Sequence, residues 1–172
     1  MKLLRTAAAA LALTLGATQL VAQTMTLTSQ LPESHPLNQN WLEFGNLISE
    51  RSGGALGIQL FHSGQLFADH QVPEAVGTGA VHTGTASLVR YAGAVPAVNA
   101  ISVPFMLETE EQLRAATAPG SPVRELLDAA ILAETNNRVL WWQAFGRNIL
   151  LSNGLAIRGP ADFQGRTVRS YG

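Results

Sequence analysis

Cysteine is missing from all 172 residues. Its absence excludes thiol nucleophiles, thiolate metal sites, redox pairs and disulfide staples together. A small domain without disulfides has to rely on its core, and a composition that is 47% hydrophobic can supply one. Charge of one sign is lacking too. The formal net charge is −1 with no long run of like charges, so nothing points to nucleic acid or to an anionic membrane surface as a partner. His35, His62, His70 and His82 never fall two to a helical turn, and no carboxylate pair brackets them, so no metal site is expected. There is no Gly-x-Ser-x-Gly and no Gly-x-Gly-x-x-Gly following a strand. Gly77-Thr78-Gly79 lacks the third glycine and follows a helical stretch, so it reads as a helix stop. Acidic residues are scattered singly, with Glu110-Glu111 as the first turn of a helix. Neither a catalytic set nor a cofactor is expected.

What is present begins with a targeting pattern. Met1-Lys2-Leu3-Leu4-Arg5 carries positive charge, and residues 6–21 are dominated by Ala and Leu, so residues 1–23 read as a secretory signal peptide. Thr14, Gly16, Thr18 and Gln19 interrupt the apolar run, which therefore fits poorly to the roughly 20-residue span of a transmembrane helix. An uncleaved amphipathic or anchor helix is the alternative. The expected product is an exported protein that does not span the membrane after cleavage near Ala22 or Gln23.

The mature chain alternates between two periods. Residues 24–30 have strand periodicity, and residues 37–51 place Trp41, Phe44, Leu47 and Ile48 on one helical face before Ser52-Gly53-Gly54. Residues 55–62 alternate again. Asp69 can cap a short helix through Val72, Ala75 and Val76, and a short Thr-rich strand is expected within 81–87. Residues 101–105 read as a strand closed by Pro104. Helices are expected after Thr109 and from Pro122, where proline suits the first turn. Residues 139–145 read as a buried strand, residues 149–151 as a further extended piece, and residues 158–172 as a turn followed by a strand. The order β-α-β-α-β-β-α-α-β-β-turn-β argues for an α/β fold with a mainly parallel sheet. A change of domain is expected near 145–148.

The candidate site residues are basic. Arg51, Arg114, Arg124 and Arg138 fall on polar helix faces or ends and read as solvated surface. Arg90, Arg147 and Arg169 follow strand-like segments, close to where open α/β sheets bind ligands. A guanidinium there can grip a carboxylate through two parallel hydrogen bonds, or form a salt bridge between domains. Arg169, on the final expected strand with Thr167 on its face, is the strongest candidate for a ligand anchor. His35 lies in a strand-to-helix loop, where a helix N-terminus favours anions. It either faces a ligand or bonds its own turn.

Several ordered motifs carry a family resemblance. They are His35-Pro36; Glu50-Arg51-Ser52-Gly53-Gly54-Ala55-Leu56; His62-Ser63-Gly64-Gln65-Leu66, similar to a Pro-x-Gly-Gln-Leu turn; Glu74-Ala75-Val76-Gly77-Thr78-Gly79; Val103-Pro104-Phe105; and the run from Ile157 to Arg169, close to Pro-x-Asp-Leu-Lys-Gly-x-Lys-Ile-Arg. Over 25–172 the chain resembles the periplasmic solute-binding subunit of tripartite ATP-independent periplasmic (TRAP) transporters, of the dicarboxylate-binding DctP type. The resemblance implies a periplasmic, two-lobed, periplasmic-binding-protein-like α/β fold that closes on a small organic acid and hands it to the permease membrane subunits, without catalysis. It implies that Arg169 holds the ligand carboxylate and that Arg90 stands where some members have a second arginine. A further family arginine follows the glycine at the lobe crossover. Here that place is Gly146-Arg147-Asn148, and the register leaves either Arg147 or Asn148 facing the cleft.

Family members run to about twice the mature length, as a two-domain protein would. The expected division is therefore a signal peptide at 1–23, a first lobe at 24–146 lacking its return segments, and the start of a truncated second lobe at 147–172. An exported α/β enzyme and a ligand-sensing module, each acting on a small organic acid, are the alternatives.

Overall fold

The computed structural model describes residues 22–146 and 149–169. The expected signal peptide, Arg147, Asn148 and the last three residues of the chain lie outside that range, apart from Ala22 and Gln23.

The fold is built on strand β1 (Gln23–Thr28). It pairs in parallel with β2 (Leu56–Phe61), from Gln23 opposite Leu56 to Thr28 opposite Phe61, and with β3 (Thr83–Gly84) through Leu27 and Thr28. The sheet order is β2-β1-β3. Parallel neighbours need a crossover. Helix α1 (Pro36–Arg51) joins β1 to β2, and α2 (Val72–Gly77), preceded by a 3-10 turn at Asp69–Gln71, joins β2 to β3.

Local chemistry explains where the helices start and stop. Pro36 opens α1 where its missing N–H costs nothing. Asn38, fully buried, donates from Nδ2 to the carbonyls of Leu31 and Pro32, at 3.1 and 2.8 Å, and so ties the loop after β1 to the helix. Helix α3 (Glu110–Thr117) begins with a capping box. Thr109 Oγ1 accepts from Gln112 N, and Gln112 Oε1 accepts from Thr109 N. Helix α4 (Pro122–Thr135) is capped by Ser121 Oγ and stopped by Asn136, whose φ of 57° is left-handed. Its buried face, Leu127 and Ile131, packs on Val95 and Val98.

Five local expectations are corrected. Residues 101–105 do not form a strand. The 3-10 helix Pro96–Ser102 turns Val98 into the core, and the chain then reverses with Met106 N donating to Val103 O. Pro104 and Phe105 (φ 64°) fill the two central places of that reversal, the pattern of a type II turn. Residues 139–145 form no ladder. Strand β3 has two residues and offers little edge, and aromatic packing holds the run instead. Trp141 sits against Trp41 and Phe44 of α1, while Trp142 Nε1 donates to Asp128 of α4 at 2.7 Å. Neither 149–151 nor 166–169 is in a strand. Finally, Arg124 is not solvated. Its side chain is 12% exposed, paired with Asp128 and reaching the carbonyls of Thr117 and Leu140.

Among the described residues no helix is long and apolar enough to cross a membrane.

Candidate ligand-binding edge

The three parallel strands end on one side, and their loops meet there. The loop after β1 carries His35, the loop after β2 begins at His62, and the loop after β3 runs from Thr85 to Arg90. Backbone groups fix these loops to one another. Gly64 N donates to Ser29 O at 2.9 Å, Ser63 N to Leu31 O at 2.8 Å and Thr85 N to Thr28 O at 2.9 Å. Trp41 Nε1 donates to Thr85 Oγ1 at 2.8 Å, which pins the third loop to α1. The edge is therefore preorganised by bonds that involve no ligand.

Arg90 stands at this edge on a 3-10 turn, Leu88–Tyr91. Its Nε donates to Asp69 Oδ2 at 2.6 Å, and Asp69 Oδ1 also accepts from Ser87 N and Ser87 Oγ. Asp69 therefore caps no helix, contrary to expectation. It braces the β3 loop and pairs with Arg90 across it. Arg90 also lines a separate hollow of about 520 Å³ between α2 and the end of α4, with Glu74, Tyr91 and Glu134. Burial pushes the Tyr91 phenol above its usual range, and Asn137 Nδ2 donates to its oxygen, which partly offsets that rise.

His35 is the N-cap of α1, and its Nδ1 accepts from Leu37 N at 3.2 Å. Its ring also stacks on Phe145, with centroids 5.5 Å apart and planes within 5°. The capping half of the expectation is thus met, and the same ring carries an aromatic contact that sequence periodicity did not signal. Read as a strand residue, Phe145 was expected to be buried. It is 70% exposed.

Arg169 is exposed and, among the described residues, makes no hydrogen bond or ion pair. It follows a self-contained turn. Asp162 Oδ2 accepts from Arg158 N at 2.7 Å and Gly159 N at 2.9 Å, and Arg166 Nε returns to Asp162 O at 2.9 Å. No contact among the described residues joins Arg169 to Arg90 or His35. Arg147 and Asn148 lie outside the described residues. Phe145 brings the chain that leads to them onto His35.

The two N–H groups hold the Asp162 carboxyl below the ordinary carboxylate range. A carboxyl whose folded pKa is depressed stabilises the turn fully above the unfolded value of about 3.9. That contribution disappears as pH falls through the lower folded value. The Arg158 and Gly159 amides are therefore expected to keep their shifts from pH 7 to pH 5 and to lose them only in strong acid. Amide NMR along a pH series checks this, and loss of the turn near pH 6 would contradict it.

Residues 27–171 match the family described as bacterial extracellular solute-binding protein, family 7 (DctP). A solute-binding protein of Chromohalobacter salexigens is 25% identical over 138 residues, covering 80% of this chain and 40% of the relative. A Bordetella pertussis extracytoplasmic solute receptor binding pyroglutamic acid, DctP7, is 25% identical with a TM-score of 0.58. A TRAP periplasmic solute-binding protein from Fusobacterium with bound sn-glycerol-3-phosphate is 25% identical with a TM-score of 0.57. Each of these two alignments covers 66% of this chain and 36% of the other. The chain belongs to the DctP family of extracellular solute-binding proteins and has its mixed helix-and-sheet fold. It spans well under half the length of these relatives.

Proposed function

We propose that this chain contributes to the periplasmic capture of a small organic acid and its delivery to a TRAP permease. Residues 24–146 are the first lobe, and the second opens at 147. The ligand carboxylate is held by Arg169. Arg90, either Arg147 or Asn148, and His35 contribute from the edge where the strands end, and no bond chemistry is involved. The observation that supports this reading most is the exposed Arg169 guanidinium, presented by a locally bonded turn inside the family match. The neighbours' pyroglutamic acid and sn-glycerol-3-phosphate are both small organic anions. Closure of a lobe over the acid removes water, and the ion pair strengthens in the lower dielectric. The ligand then shifts the population toward the closed form that the permease would receive.

A thermal-shift screen of organic acids on the full-length polypeptide tests the proposal. Ligand at 100 times its Kd adds about 2.7 kcal/mol of stability, so a bound acid is expected to raise the melting temperature by several degrees. The rise is expected to vanish in Arg169→Ala. No rise with any acid would contradict the reading.

A further inference from the structure

We propose that the stacked pair Phe145 and His35 is a ring platform, selecting cyclic organic acids over open-chain ones; this rests on the capture role just proposed. The pair is unusually well held for an exposed aromatic contact. His35 Nδ1 is committed to Leu37 N, which fixes how its ring is turned. Phe145 lies nearly parallel to it with centroids 5.5 Å apart, an offset stack that covers part of one phenyl face. The residue is nonetheless 70% exposed, so most of the ring surface is open to a ligand. The chain leading to it is clamped on both sides. Trp141 is 4.3 Å from Trp41 and 5.0 Å from Phe44, between ring centroids, and Trp142 is bonded to Asp128. A flat apolar surface is thus preorganised at the edge where the strands end, and little entropy remains to be lost on contact.

The chemistry divides the ligand in two. The face of an aromatic ring is negative, so it repels a carboxylate and attracts the C–H groups of a ring laid over it. The acid group has to go to a guanidinium, and the body of the ligand to Phe145. A cyclic body presents one rigid face of matching size. An open chain must freeze several rotors to cover the same area.

Three seven-carbon acids, cyclohexanecarboxylate, benzoate and heptanoate, separate these terms, titrated calorimetrically into the full-length polypeptide. The two cyclic acids are expected to bind about tenfold more tightly than heptanoate. Phe145→Ala should weaken them about tenfold and heptanoate far less. His35→Asn keeps an N-cap but removes the supporting ring, and should lose part of the preference without a change in melting temperature. Equal affinity for cyclic and open-chain acids, equal weakening of all three by Phe145→Ala, or no binding of any of them would overturn the platform. Arg169→Ala reports separately. If it leaves all three affinities unchanged while Phe145→Ala removes the preference, the anchor fails and the platform stands.

Discussion

Gly77→Ala is expected to lower stability, although Gly→Ala in a helix usually raises it. A Cβ at this position would stand 2.3 Å from the carbonyl oxygen of Thr135. That atom is backbone at the end of α4 and cannot swing away. The helix gain is at most about 1 kcal/mol, whereas overpacking against a fixed group costs up to about 3 kcal/mol, so the loss dominates by about 2. Asn136 Nδ2 donates to Gly77 O at 3.0 Å, so separating the helices to relieve the clash would also break that bond. Gly93→Ala is the control. Its Cβ would meet nothing within 4 Å, and the expected change is within about 0.5 kcal/mol. Urea denaturation of both variants measures the difference. A Gly77→Ala variant more stable than the wild type would show that α2 and α4 do not approach as described.

Leu27→Ala is expected to have the largest effect on stability. Leu27 is fully buried on the central strand, paired with Leu60 on one side and Thr83 on the other. Removing a buried leucine costs the transfer of its methyl groups and leaves a cavity, about 2–5 kcal/mol together. A whole domain has only about 5–15 kcal/mol, so this variant should approach unfolding. Leu126→Ala, on the exposed side of α4 at 62% exposure, should change little. Similar urea midpoints for the two variants would place the core elsewhere.

The helices were legible in the sequence because their ends are chemical events. Pro122 and Thr109 were read as helix starts and the first helix from its apolar face at Trp41, Phe44, Leu47 and Ile48; the structure adds the Ser121 cap, the Gln112 half of the box and Pro36 as the first helical residue. The strand alternation of β1 and β2 was legible for the same local reason. Residues 139–145 were not. An apolar run can be buried by a ladder or by helices on its two sides, and periodicity does not distinguish these. Here Trp141 goes to α1 and Trp142 to α4. Pro104 was read as the end of a strand because proline cannot continue a ladder; it equally suits the first central place of a type II turn, and only the backbone shows Phe105 in the left-handed region.

At the site, the chemistry of single residues was easier to read than their pairing. Asp69 and Arg90 both drew notice, but one as a cap and the other as a ligand contact. The fold folds β3 back between them and makes them partners at 2.6 Å. His35 as a cap was foreseeable from the proline after it. Its stack with Phe145 joins residues far apart in sequence, and only tertiary structure brings them together. Arg169 was read from a turn and a strand; the turn is present, the strand is not, and the side chain is exposed.

The most direct measurement is a calorimetric titration of the full-length polypeptide and its Arg169→Ala variant with an organic acid identified in the thermal-shift screen. A buried, hydrogen-bonded carboxylate pair loses about 2–5 kcal/mol when one partner is truncated, so the variant is expected to bind at least thirtyfold more weakly. Unchanged affinity in Arg169→Ala would contradict the account at its centre.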